Sequence, residues 1–116
     1  MKNNIFVTHT FEREFKRLAK KYLTLVEDLL ILKQQLISGE EVGTDLGSGF
    51  RKIRLQINSK NKGKSAGARV ITLSIVVSSN EMNTNLLYIY DKSERSSISK
   101  KELKKLREKI IYSNFA

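Results

Sequence analysis

The residues able to do chemistry in this chain are cations and tyrosines. Between Leu46 and Asn80 there is no Asp or Glu, while seven Lys or Arg occur: Arg51, Lys52, Arg54, Lys60, Lys62, Lys64 and Arg69. Positive charge gathered in one place without compensation lowers the energy of a phosphate there, so the stretch should attract a polyanion. An arginine such as Arg69 can bond two phosphoryl oxygens at once with its planar fork and stays charged. A lysine held among other cations has its pKa pushed down, so Lys52 or Lys92, if buried enough, could give or take a proton. In RNA the 2′-OH can attack its own neighbouring phosphate. A protein then has only to orient that attack, neutralise the growing charge and move protons, and none of this calls for a histidine or a metal. The chain has no cysteine and one histidine, His9, so no disulfide framework, metal site or cofactor is expected, nor a small-molecule ligand.

The charge is uneven along the 116 residues. Residues 1–45 hold seven basic and seven acidic side chains, whereas residues 91–116 hold eight basic against four acidic, so the net +10 belongs to the middle and the end. That distribution suits nucleic acid or an acidic protein. It suits an anionic membrane less well, because no basic segment carries an aromatic-rich apolar face. The length fits a single domain over residues 1–116. No stretch is apolar for long enough to span a bilayer, and the amino terminus lacks the pattern of a secretory signal, so a cytoplasmic protein is expected.

The elements that must position these residues follow from periodicity. Asn4–Thr8 reads as a strand. Thr10 is a candidate N-cap for a helix carrying Phe11, Phe15, Leu18, Ala19 and Tyr22 on one stripe. After a break near residues 21–24, a second helix carries Leu25, Leu29, Leu32 and Leu36, with Val26 and Leu30 widening the stripe and Gly39 ending it. Residues 40–49, rich in glycine, read as a loop. Residues 51–58 alternate, with Ile53, Leu55 and Ile57 on one face and Lys52, Arg54 and Gln56 on the other. A basic loop over 59–67 leads to an apolar strand over 68–77, which should be central in the sheet. Arg69 shares parity with Ile71, Leu73 and Ile75, so it sits either at the strand mouth or on a bulge. Residues 78–84 read as a turn, and Asn85–Tyr90 as a strand with Tyr88, Tyr90 and Lys92 on one face and Leu87 and Ile89 on the other. Ser99 and Glu102 form a capping box, stapled by Ile98 and Leu103, for a last helix with Leu103, Leu106, Ile110 and Ile111 inward. The order β-α-α-β-β-β-α predicts an α+β layer: a small, mostly antiparallel four-stranded sheet with an N-terminal helical hairpin and a C-terminal helix.

Three segments, FEREFKRLAKKY, FRKIRLQINSKNKGKSAGARVI and LLYIYDKSERSSISKKELKKL, resemble in order the RelE/ParE superfamily of toxins from type II toxin–antitoxin systems, in its RelE and HigB-like branches. The resemblance implies a RelE-like fold and a toxin that cleaves messenger RNA on a translating ribosome. It also implies silencing by an antitoxin encoded beside it. Lys52 and Arg54 match the family's backbone-contacting strand positions, Arg69 its phosphate-stabilising arginine, and Lys60, Lys62 and Lys64 its basic loop. Where relatives can place a further arginine and then a catalytic tyrosine, this chain has Ser93 and Ser99, with Lys92 and Arg95 nearby as substitutes. The resemblance leaves two other functions open: a ParE-like toxin acting on DNA gyrase without nuclease activity, or a degenerate toxin that only binds its antitoxin.

Plainer explanations stand beside these. Arg51 is expected among the RNA-binding cations, whereas the basic loop can be a solvated charge run. Arg69 can be an ion-paired edge residue, and Tyr88 and Tyr90 can be ordinary strand formers rather than surfaces on which bases stack. His9 reads as a surface residue at a helix entry.

Overall fold

The computed structural model describes residues 2–60 and 66–115, with side chains as far as Ile110. The elements in chain order are β1 (Lys2–Val7), α1 (His9–Lys21), α2 (Leu25–Ile37), β2 (Thr44–Gly47), β3 (Phe50–Leu55), a 3₁₀ turn (Asn58–Lys60), β4 (Ala68–Ser78), β5 (Glu81–Asp91) and α3 (Lys100–Phe115). They build one α+β layer: a sheet of order β1-β5-β4-β3-β2, antiparallel except where β1 runs parallel to β5. The apolar β4 is central, as its near-continuous hydrophobic run requires. No helix among the described residues is long and apolar enough to cross a membrane.

The sheet has five strands rather than four, because the segment expected as a loop contains β2. Ser48 and Gly49 hold φ of 55° and 86°, the doubly left-handed pair of a tight hairpin turn, and Asp45 Oδ1 accepts a hydrogen bond from Gly47 N at 2.7 Å. The glycines thus close a hairpin onto β3 instead of a free loop. The residues expected as a turn before the fourth strand are also mostly strand, since β5 begins at Glu81 and the reversal takes only Ser79 and Asn80.

Thr8, not Thr10, caps α1: it is extended, and its Oγ1 accepts from Phe11 N at 3.2 Å. Thr10 is turned inward and buried. The α2 stripe is narrower than its sequence suggests, because the sheet covers one side only. Leu25, Leu29, Leu32 and Leu36 are buried, whereas Val26 and Leu30 are more than half exposed. Gly39 follows α2 with φ 87°, in the conformation a helix-ending glycine supplies. The capping box of α3 forms as its residues predict, with Ser99 Oγ accepting from Glu102 N and Glu102 Oε1 accepting from Ser99 N, each at 3.2 Å.

Two cores lie on opposite faces of the sheet. On one, Ile53, Leu55, Val70, Leu86 and Ile89 pack against Phe11 and Leu18 of α1 and the four leucines of α2. On the other, Phe50, Ile71, Leu73, Leu87 and Tyr90 pack against Leu103, Leu106 and Ile110 of α3. Leu87 therefore joins Tyr90's cluster rather than Ile89's. Ile71 pairs with Tyr88 and Thr72 with Leu86, which leaves Leu87 as the extra residue of a bulge that turns it to the α3 side.

Candidate nucleic-acid interface

The parity that puts Arg69 beside Ile71 and Leu73 places it on the α3 face, at the strand mouth. The bulge lies on the neighbouring strand. In the sheet register Arg54, Arg69 and Tyr90 form one cross-strand row, and Lys52, Ile71 and Tyr88 the next. Directly opposed side chains lie about 5 Å apart at Cβ, so two guanidinium groups and a phenol converge in the first row. Where α3 packs, this face is apolar; beyond the helix it turns cationic. Arg54 is exposed and Lys52 half-buried, and neither makes an ion pair among the described residues. Arg69 is 95% enclosed, and one of its bonds is Nη1 to Ala68 O at 3.2 Å. Burial, and after it the Arg54 charge, lowers the Arg69 pKa from its usual value, while Tyr90 pulls it back. A group whose charge is held at this cost interacts strongly with an anion that reaches it.

Arg95, from the turn after β5, lies over both tyrosines. Its guanidinium carbon is 5.7 Å from the Tyr88 ring centre and 5.8 Å from that of Tyr90, and the two rings are 6.1 Å apart. Such stacking is a cation–π arrangement. Glu102 of α3 pairs with Arg95 through Oε2, and that hydrogen bond is the main reason the Arg95 pKa is raised. Arg95 Nε donates to Ser97 O at 2.8 Å. The Tyr88 and Tyr90 faces that could stack on bases are thus already occupied by an arginine. Glu102's hold on Arg95 was not visible in the sequence: the residue reads as half of a capping box, and nothing in the irregular 93–99 segment ties Arg95 to it.

The other candidate cations are placed elsewhere. Arg51 lies on the opposite face of β3, with Nε and Nη2 donating to Val42 O and Gly43 O, each at 2.8 Å. It closes the approach to β2. Lys60 Nζ donates to Asp91 Oδ1 at 2.7 Å and to Ala66 O at 2.9 Å, largely enclosed on the side of the helical hairpin. Lys92 folds back so that its amine donates to Ser96 O, while its backbone N donates to Gly67 O at 3.1 Å. Lys62 and Lys64 lie outside the described residues. His9 is exposed at the first position of α1. No group of three or more His, Cys, Asp or Glu among the described residues is arranged to hold a metal ion.

Asp91 fixes the frame of this end of the sheet. It is fully buried and accepts from Lys60, from the Tyr22 hydroxyl, and from Ser93 N and Oγ at 2.9 and 2.7 Å. Burial alone would raise its pKa, but these hydrogen bonds outweigh it and hold the carboxyl well below the usual range. One carboxylate thereby joins α1, the start of the basic loop and the end of β5.

A small α+β protein that opens a cationic, tyrosine-floored face beside its C-terminal helix is the class of molecule these features define. A family model described as the RelE toxin of the RelE / RelB toxin-antitoxin system matches residues 3–113. The chain belongs to that family: it is the toxin component of a toxin–antitoxin system, and its family implies an antitoxin partner. No protein with a curated description matches it.

Proposed function

We propose that the chain is an endoribonuclease that cleaves messenger RNA, engaged on the ribosome, by attack of a 2′-OH on the adjacent phosphate, and that it inhibits translation in this way. The observation that carries the reading is the juxtaposition of like charges: Arg54 directly opposes Arg69, with Lys52, which has no ion pair among the described residues, in the neighbouring row. Like charges facing one another across a sheet destabilise it unless an anion lies between them. Arg69, in the drier position, holds the phosphoryl oxygens as charge grows on them. Arg54 and Lys52 hold the strand on either side. Of the two lysines considered for proton transfer, Lys52 is the better candidate, because the Lys92 amine already serves Ser96 O. Lys62 and Lys64 add to the field that draws RNA in. An acidic or amphipathic antitoxin segment laid across the same face would silence it.

Primer extension on a reporter message after brief induction tests this in the wild type and in Arg69→Ala. Discrete cuts within translated codons that vanish in the variant, at equal expression and with growth restored, are expected. Growth arrest with intact message would instead favour action on DNA gyrase.

A further inference from the structure

Tyr90 presents an anomaly. Its side chain is 97% buried, and its hydroxyl has no hydrogen-bond partner among the described residues. A buried phenol left unbonded costs stability that a phenylalanine would not, so a group kept in that state calls for an explanation. Its position offers one. Tyr90 is the register partner of Arg69, on the row assigned above to the scissile phosphate. Its ring is covered by Arg95, and Arg95 is held in place by Glu102. Arg95 is itself a strong phosphate ligand, so an incoming RNA phosphate competes with Glu102 for it. A shift of Arg95 toward the RNA would uncover the hydroxyl beside Arg69.

We infer that Tyr90 is the proton donor to the departing 5′-oxygen, exposed when RNA draws Arg95 away from Glu102. The inference rests on the ribonuclease reading above. In the step, the 2′-oxygen bonds to phosphorus as the P–O5′ bond breaks, and the electron pair of that bond leaves on the 5′-oxygen. The 5′-oxygen takes the phenolic proton and departs as a hydroxyl, while the 2′-OH proton passes to solvent water. The phenolate regains a proton from solvent, so the products are a 2′,3′-cyclic phosphate and a 5′-hydroxyl with no net change in protons. Burial raises the Tyr90 pKa more than Arg69 and Arg95 lower it, so the phenol keeps its proton until it is needed. The chain thus supplies an acid from β5 although it has serine at position 99.

The test is single-turnover cleavage of an RNA oligonucleotide, free or placed on ribosomes as the wild type requires, by wild type and Tyr90→Phe. Because the hydroxyl bonds to no described residue, Tyr90→Phe should melt no lower than wild type and bind the oligonucleotide equally well, yet cleave it about 10²–10⁴-fold more slowly. A substrate with sulfur at the bridging 5′ position, whose leaving group needs no proton, should restore the variant's rate. Wild-type cleavage by Tyr90→Phe would overturn the assignment and leave Tyr90 a core residue, as would a loss that the sulfur substrate does not rescue. Glu102→Gln keeps the capping box but weakens the hold on Arg95, so RNA affinity should rise severalfold; unchanged affinity would overturn the uncovering step. If the wild type itself leaves RNA intact while arresting growth, the ribonuclease reading fails and this inference with it.

Discussion

Removing the Asp91 carboxylate should destabilise the protein strongly at neutral pH and much less in acid. Asp91 is inaccessible to solvent, and its main partner, the Lys60 ammonium, is only 13% exposed. In Asp91→Ala the ammonium keeps Ala66 O but loses its counter-charge, and the Tyr22 hydroxyl and Ser93 lose their acceptor. Breaking a buried pair from one side costs about 3–5 kcal/mol, set against a total stability of about 5–15 kcal/mol for a domain. With a urea m-value of about 1.5 kcal/mol/M, the midpoint should fall by about 2–3 M. The pH dependence follows from linkage. The carboxyl titrates near 3.8 when unfolded and well below that when folded, so its contribution is complete above the unfolded value and lost as pH falls through the folded one. The gap between wild type and variant should therefore narrow steadily below about pH 4. It should also narrow in strong alkali, because the Lys60 pKa is raised above 10.5: burial opposes the rise, but the Asp91 hydrogen bond outweighs it. Urea titrations followed by circular dichroism at pH 7, 4 and 3 measure this. A midpoint shift below about 0.5 M at pH 7, or one as large at pH 3 as at pH 7, would refute the account.

Two further changes probe the scaffold. Gly49→Ala places a Cβ 2.7 Å from Ser74 O at a φ of 86°, so it should cost about 1–3 kcal/mol and loosen the β2–β3 hairpin, read as a lower melting temperature and faster amide exchange at Phe50. Leu29→Ala should cost about 2–5 kcal/mol, whereas Leu30→Ala, one residue on and half exposed, should change the denaturation midpoint by less than about 0.5 kcal/mol in equivalent stability; similar losses in both would mean that α2 buries a wider face.

What the sequence made legible was whatever repeats or is strongly typed. The central stripe of each N-terminal helix, the alternation of β3, the apolar run of β4 and the capping box at Ser99 and Glu102 each depend on neighbours in the chain, and each appears where its pattern places it. Hidden features arise from contacts between distant residues. The bulge at Leu87 reverses the facing expected from strict alternation, because one inserted residue shifts the parity of every position beyond it. Lys60 and Arg51 look the same in sequence as Lys52 and Arg54, yet the first two are spent on Asp91 and on the Val42 and Gly43 carbonyls. Only the tertiary fold separates structural cations from those facing solvent. The Arg69 row was half visible: parity puts the arginine on a face, but not the enclosure that buries it beside an exposed Arg54.

The pairing of Arg54 with Arg69 implies a conflict between stability and function that can be measured. Arg54 faces Arg69 with no ion pair of its own among the described residues, and the effect of Arg54 on the Arg69 pKa shows that the two guanidiniums feel each other. In the free protein this repulsion is a cost of about 0.2–1 kcal/mol, small because Arg54 is solvent-screened. Arg54→Gln should therefore raise the melting temperature slightly, against the general tendency of substitutions to destabilise. It should also weaken binding to single-stranded RNA and make the log-log salt slope shallower by about 0.7, the share of one phosphate contact. The two effects must appear together. A variant both less stable and weaker in RNA binding would mean that Arg54 supports the fold, whereas a more stable variant with an unchanged salt slope would mean that the repulsion is real but that no phosphate is held there. Only gain in stability with loss in binding fits a face built to hold a phosphate.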